Sequence, residues 1–150
     1  MKNVYGIAPD GGTTPFDRIH CANEEAELQD LLEKNLDLIP GDQIDPEDPR
    51  RWLLVKREMT VEDPGTGEGR WSLDLLLVDQ DGIPTLVECK RFKDTRARRE
   101  VIVQMFDYAA NASFYLNKDK LTQYLEEQAR KCGVDIETFL SEVQPTSGSS

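Results

Sequence analysis

Histidine and paired cysteines are nearly missing from this 150-residue chain, and their scarcity removes several kinds of chemistry at once. The one histidine, His20, stands beside Cys21, while Cys89 and Cys132 lie far along the chain and no C-x-x-C spacing occurs. A structural zinc site takes four ligands, so zinc is not expected. With no second histidine and no serine-based motif, a Ser-His-Asp triad is poorly supported. Scattered cysteines behind an N-terminus without the apolar core of a signal peptide argue for reduced thiols. No apolar run approaches the roughly 20 residues that span a bilayer. The expected location is therefore the cytoplasm, with no membrane partner. Hydrophobic residues make up 38% of the chain and charged residues 31%, a balance that suits one soluble globular domain.

Positive charge is also short: 18 Lys and Arg stand against 29 Asp and Glu, a net charge of −11. Phosphate contacts need local Lys and Arg, so distribution matters more than the sum. Residues 90–99 read KRFKDTRARR, with six basic residues and one acid, Asp94. Arg50-Arg51 and Lys56-Arg57 form a second basic group, and much of the acid lies in residues 24–48 and after Asp119. A charge run taken alone is most simply a solvated face. This one directly follows a candidate metal site.

The periodicity predicts a short strand near residues 4–7, followed by a loop through the turn signal Asp10-Gly11-Gly12. A helix starts at the N-cap Asn23 and carries the stripe Leu28, Leu31, Leu32, Leu36 and Ile39, with Pro40-Gly41 as its stop. Residues 41–49 read as loop. Strands are expected over 51–61, with Leu53, Val55, Arg57 and Met59 on one side, and over 70–79 and 83–90. Residues 63–69 between the first two strands read as a mobile loop. Leu75, Leu76, Leu77 and Val78 are apolar on both faces, which suits a central strand. A helix over 95–111 carries Val101, Met105, Tyr108 and Ala112, and residues 114–116 read as a short strand. A helix over 118–131 closes at Gly133, and Asp135 caps a last helix running through Val143. The plan is α/β: helix, three strands, helix, strand, with a central mixed sheet flanked by helices. One domain spans 1–144, its core about 23–130, and 145–150 form a flexible Ser/Gly tail at a boundary to a further C-terminal region.

Three charged residues interrupt apolar strands. Asp74 sits in Trp71-Ser72-Leu73-Asp74-Leu75-Leu76-Leu77, and Glu88 and Lys90 sit in Thr85-Leu86-Val87-Glu88-Cys89-Lys90. Burying an unpaired charge is strongly unfavourable, so such groups pair or bind metal. Glu88 and Lys90, two apart, share one strand face. A hairpin in which Asp79 pairs with Ile83 places Asp74 opposite Glu88, whereas a two-residue loop places it opposite Cys89 on the wrong face. The three-residue loop is expected, with Gly82 left-handed. Adjacent carboxylates suit magnesium, which takes oxygen ligands, can lower the pKa of a water and can stabilise phosphate charge. Lys90 is placed to orient or help deprotonate that water. A buried Asp–Lys or Glu–Lys salt bridge accounts for the same three residues without catalysis.

Asp74 followed by an apolar run and Glu88-Cys89-Lys90 resembles the D…ExK signature of the PD-(D/E)XK nuclease superfamily. Gln104-Met105-Phe106-Asp107-Tyr108 is similar to the Q-x-x-x-Y motif of its RecB-type branch. The stretch VECKRFKDTRARREVIVQMFDYAANA resembles N-terminal domains of uncharacterised bacterial proteins assigned to this group, and the likeness covers about residues 23–130. No proline precedes Asp74, where Ser72-Leu73 stand instead. The resemblance implies a restriction-endonuclease-like core and a magnesium-dependent deoxyribonuclease in which manganese can substitute. It makes Asp74 and Glu88 metal ligands, with the Cys89 backbone carbonyl a further oxygen, and it makes Lys90 the residue that positions the attacking water. An acid of the first helix completes the catalytic set. Glu25 matches best, with Glu24 and Glu27 as competitors. Gln104 would support the site or the scissile phosphate, with Tyr108 one turn later. Lys90, Arg91, Lys93, Arg96, Arg98 and Arg99 are the candidate DNA contacts. Trp52 and Trp71 read as core aromatics and Cys89 as a small buried hydrophobe. Target choice would fall to a C-terminal domain or partner protein, and a homodimer suits an enzyme that cuts both strands. The alternative is a catalytically silent nuclease-like module for DNA binding or protein assembly.

Overall fold

A computed structural model describes residues 4–17, 19, 22–62, 65, 69–90 and 97–143. Its first element is a small hairpin, β1 (Val4–Ile7) with β2 (Thr13–Phe16), where a strand and a loop were expected. Asp10 Oδ1 accepts the Gly12 N–H and Gly11 sits at φ +82, so the turn residues close a second strand onto the first. Helix α1 (Glu24–Lys34) begins at Asn23, whose side chain accepts the Ala26 N–H. Glu27 Oε1 accepts the N–H groups of Ala22 and Asn23 at 2.7 and 3.1 Å, so both free ends of the first turn are satisfied by side chains.

The helix stops at Lys34, well before Pro40, and two 3₁₀ turns (Leu36–Leu38 and Gly41–Gln43) carry the chain onward. Only part of the expected stripe reaches the core. Leu32, Leu36 and Ile39 pack on Trp52, Leu75 and Leu77, whereas Leu28 and Leu31 remain 37% and 50% exposed. Trp52 is buried and its indole N–H donates to the Ile39 carbonyl.

The main sheet is β3 (Trp52–Glu62), β4 (Gly69–Asp79) and β5 (Pro84–Val87) in that order, with β4 central as its two-sided apolar run requires. Leu75, Leu76 and Leu77 are fully buried. Among the described residues every pairing is antiparallel, so the expected mixed sheet is corrected there to an antiparallel one. The expected strand at 114–116 is also corrected. Helix α2 (Ala97–Tyr115) runs through it, and only Leu116 and Asn117 precede α3 (Lys118–Cys132). Ala109, Ala110 and Ala112 are strong helix formers that carry α2 onward. Asn117 then caps α3 by accepting the Lys120 N–H, which leaves no residues for an extended segment. Gly133 at φ +73 ends α3 and Asp135 caps α4 (Ile136–Ser141).

In β3 the pairing register shifts between Leu54 and Lys56. This bulge, together with the positive φ of Glu58 between Arg57 and Met59, breaks the expected alternation. Leu53, Val55 and Met59 join the core under α2 and α3, but Arg57 turns to α1 and meets Asp30 and Glu33 at 2.5 and 2.6 Å. One face of the sheet is therefore covered by α1 and the turns after it, the other by α2, α3 and α4 through Tyr108, Leu125, Ala129 and Phe139. Among the described residues no helix is long and apolar enough to cross a membrane. The expected mobile loop falls almost entirely outside the described residues, as do His20, Cys21 and residues 144–150.

Candidate active site

The β4–β5 register follows from its turn. The Asp79 N–H donates to the Ile83 carbonyl at 3.1 Å, Gly82 takes φ +76, and the Asp79 carboxylate accepts the N–H groups of Asp81 and Ile83. Val78, Leu77, Leu76 and Leu75 then face Pro84, Thr85, Leu86 and Val87, so the next pair in register is Asp74 with Glu88. This is the three-residue-loop register expected from the sequence.

The strand expected to continue to Lys90 ends at Val87. The same register would give the Cys89 N–H to the Leu73 carbonyl, but it donates instead to Asp74 Oδ2 at 2.6 Å. A carboxylate has replaced a backbone acceptor, and the ladder ends there. Beside it the Glu88 side chain is only 4% exposed. Lys90 Nζ lies 2.8 Å from Glu88 Oε1, while Glu88 Oε2 is buried with no hydrogen-bond partner.

The electrostatics follow from this crowding. Burial pushes the Asp74 carboxyl above its ordinary range, and the Cys89 N–H and Lys90 only partly oppose it, while the charges of Glu25 and Glu58 add to it. Burial likewise raises Glu88, against the hydrogen bond from Lys90. The bond to Glu88 holds Lys90 above its usual value, so the group acts as an ammonium donor. Burial pushes the Cys89 thiol up to about 11, which removes it as a thiolate nucleophile near neutral pH.

Helix α2 docks on the same spot. Tyr108, 1% exposed, donates its hydroxyl hydrogen to the Ser72 carbonyl at 3.2 Å and accepts from Gln104 Nε2 at 2.5 Å. Its phenol, raised first by burial, also responds to the charges of Glu88, Asp74 and Lys90. Gln104 and Tyr108 thus tie α2 to β4 two residues before Asp74. From α1, the Glu25 charge reaches Asp74, Cys89 and Lys90, while Glu27 is engaged in capping its own helix.

The other sequence-predicted residues are placed less fully. Arg91, Lys93 and Arg96 lie outside the described residues, and Arg98 and Arg99 fall in the first turn of α2. The second basic group is occupied structurally. Arg50 pairs with Asp79 and Asp81, Arg51 with Asp48, Lys56 with Glu127, and Arg57 with Asp30 and Glu33. A cavity of about 320 Å³ lies at the far end of the sheet, lined by Leu53, Val78, Leu121, Leu125 and the β4–β5 turn, away from these carboxylates. One acidic residue was not singled out from the sequence. Glu58 lies between Arg57 and Met59, which face Leu75 and Leu73, and so stands opposite Asp74. Only the β3 register across its bulge reveals this.

Among the described residues, no three His, Cys, Asp or Glu side chains come together closely enough to hold a metal ion. Magnesium is commonly bound through only one or two carboxylates and keeps several waters, so Asp74 and Glu88 are a sufficient protein contribution. The orphaned Glu88 Oε2 fits such an ion, because a buried carboxylate oxygen without a partner is costly. Comparison of the chain with protein-family models, with curated proteins and with solved structures finds no match.

Proposed function

We propose that this chain is a metal-dependent nuclease of the PD-(D/E)XK type its motifs resemble, hydrolysing DNA phosphodiester bonds at Asp74, Glu88 and Lys90. The observation that carries the reading is a buried Glu88 side chain whose Oε2 has no partner, within reach of the Asp74 charge and beside an ammonium group. Asp74 and Glu88 would hold the cation, with the Cys89 carbonyl as a further oxygen. A bound magnesium ion supplies charge neutralisation and makes a water more acidic. Lys90 keeps its proton at Nζ and donates to the water or to a phosphate oxygen, which positions the nucleophile and offsets charge. Gln104 and Tyr108 fix β4 against α2 and so hold Asp74 in place. Glu25 adds negative charge from α1. DNA is the expected substrate because the basic run of residues 90–99 begins at Lys90. Target choice then belongs to a further domain or partner protein, and a homodimer would place two such sites on opposite strands.

A second reading, a silent nuclease-like module, is favoured by the net charge of −11 and by the ion pairs that occupy Arg50, Arg51, Lys56 and Arg57. Calorimetric titration with magnesium separates the two. The nuclease reading expects binding by the native chain that is lost in Asp74→Ala. No binding by the native chain would favour the silent module.

A further inference from the structure

The site has carboxylates on both sides of its central strand. Glu88 follows β5, and Glu58 on the edge strand β3 lies between Arg57 and Met59, whose partners Leu75 and Leu73 flank Asp74. Glu58 is the one non-glycine residue with positive φ among the described residues, at φ +49. That left-handed backbone conformation favours glycine, so a strand needing only the bend would be best served by glycine. Here it instead carries a long carboxylate, 66% exposed, whose charge is felt at Asp74. Its own neighbour offers little competition. Arg57 Nε lies 3.9 Å away, while the same guanidinium meets Asp30 and Glu33 at 2.5 and 2.6 Å.

We propose that Glu58 is a positioning residue of the cation site, drawing in and orienting a hydrated divalent ion held by Asp74 and Glu88. This rests on the nuclease reading above and deepens it. The unpartnered Glu88 Oε2, in a side chain 4% exposed, is the independent sign that the acidic site where β5 ends is built for a cation. Glu58 acts from outside the inner ligand set, since no three acidic side chains among the described residues close on one point. Magnesium keeps several of its waters, and a carboxylate outside the inner ligand set can accept hydrogen bonds from them. The charge of Glu58 is already felt at Asp74.

The test is calorimetric titration of the full chain with MgCl2, repeated with MnCl2 by electron paramagnetic resonance, alongside thermal melts. The variants are Glu58→Gln, Glu58→Gly, Glu58→Asp and Asp74→Asn. Removing one charge across a strand spacing in partly hydrated surroundings is expected to weaken affinity about three- to tenfold. Glu58→Gln and Glu58→Gly should both show this loss, and Glu58→Asp should recover most of it. Glu58→Gly should melt no lower than the native chain, because glycine suits the backbone, which separates charge from folding. Native affinity in both Glu58→Gln and Glu58→Gly, with binding lost in Asp74→Asn, would remove the role of Glu58 and leave the nuclease reading standing. A loss in Glu58→Gln with lowered melting and no recovery in Glu58→Asp would assign a structural role and overturn the proposal. No binding by the native chain would overturn both.

Discussion

Asp74 and Glu88 are carboxylates whose surroundings favour the protonated form, and the chain nevertheless brings them within reach of one another's charge. Such pairs lower the stability of a cation-free fold and are kept where a ligand needs them. Asp74→Asn keeps an acceptor for the Cys89 N–H while removing the charge. It is therefore expected to raise the melting temperature of the metal-free protein by a few degrees at neutral pH, and to abolish cation binding. Melting in the presence of a chelator checks this, and a lowered melting temperature would show that the charge itself supports the fold. At this scale much of the site was legible. Charged residues in apolar strands identified Asp74, Glu88 and Lys90, and a four-residue spacing on a helix brought Gln104 to Tyr108. Glu58 was not legible, because its facing residue depends on a bulge that no local signal marks. Gly41 was legible for the wrong reason. The sequence marks it as a helix stop, but a Cβ there would collide with the Arg50 carbonyl oxygen, so the glycine permits a close backbone approach.

Among the elements, turn and cap chemistry carried most of the information. Asp79 and Gly82 set the β4–β5 register, and Asn23 and Asp135 each cap the helix that follows. The errors arose where tertiary packing decides. Phe114 and Tyr115 looked like strand but continue α2, and Thr13–Phe16 looked like loop but pairs with β1. The α4 cap gives a pH test. Asp135 accepts the Thr138 N–H at 2.8 Å and the Thr138 hydroxyl at 3.0 Å, which holds its carboxyl below the ordinary range. A carboxyl lowered by folding stabilises the native state above its unfolded pKa of about 3.9, and that contribution is lost as pH falls through the lower folded value. Asp135→Ala should therefore melt below the native chain at pH about 7, and the gap should narrow below pH about 4. A gap that stays constant across that range would show that ionisation contributes nothing to the cap.

Across the whole molecule, α1 covers one face of an antiparallel sheet and α2 to α4 the other, with the candidate site midway along β4, where β5 ends and Glu25, Asp74, Glu88 and Lys90 converge electrostatically. With a net charge of −11 and the 50–57 basic group held in ion pairs, the proposed nuclease reading assigns attraction to DNA to the run 90–99. Each phosphate contact removed lowers the slope of log affinity against log salt by about 1. Arg98→Ala with Arg99→Ala should therefore weaken DNA binding and lower that slope by about 2. Arg50→Ala should leave the slope unchanged, because Arg50 serves Asp79 and Asp81. Fluorescence anisotropy on a short duplex across a salt series measures both, and equal effects of the two changes would contradict this division of the basic residues.

The central claim is tested most directly by cleavage of plasmid, linear and single-stranded DNA across magnesium and manganese titrations, with Lys90→Ala beside the native chain. The account predicts cutting that rises with metal, vanishes in chelator and is lost in Lys90→Ala while that variant keeps its native melting behaviour. Undiminished, metal-dependent cutting by Lys90→Ala would contradict it.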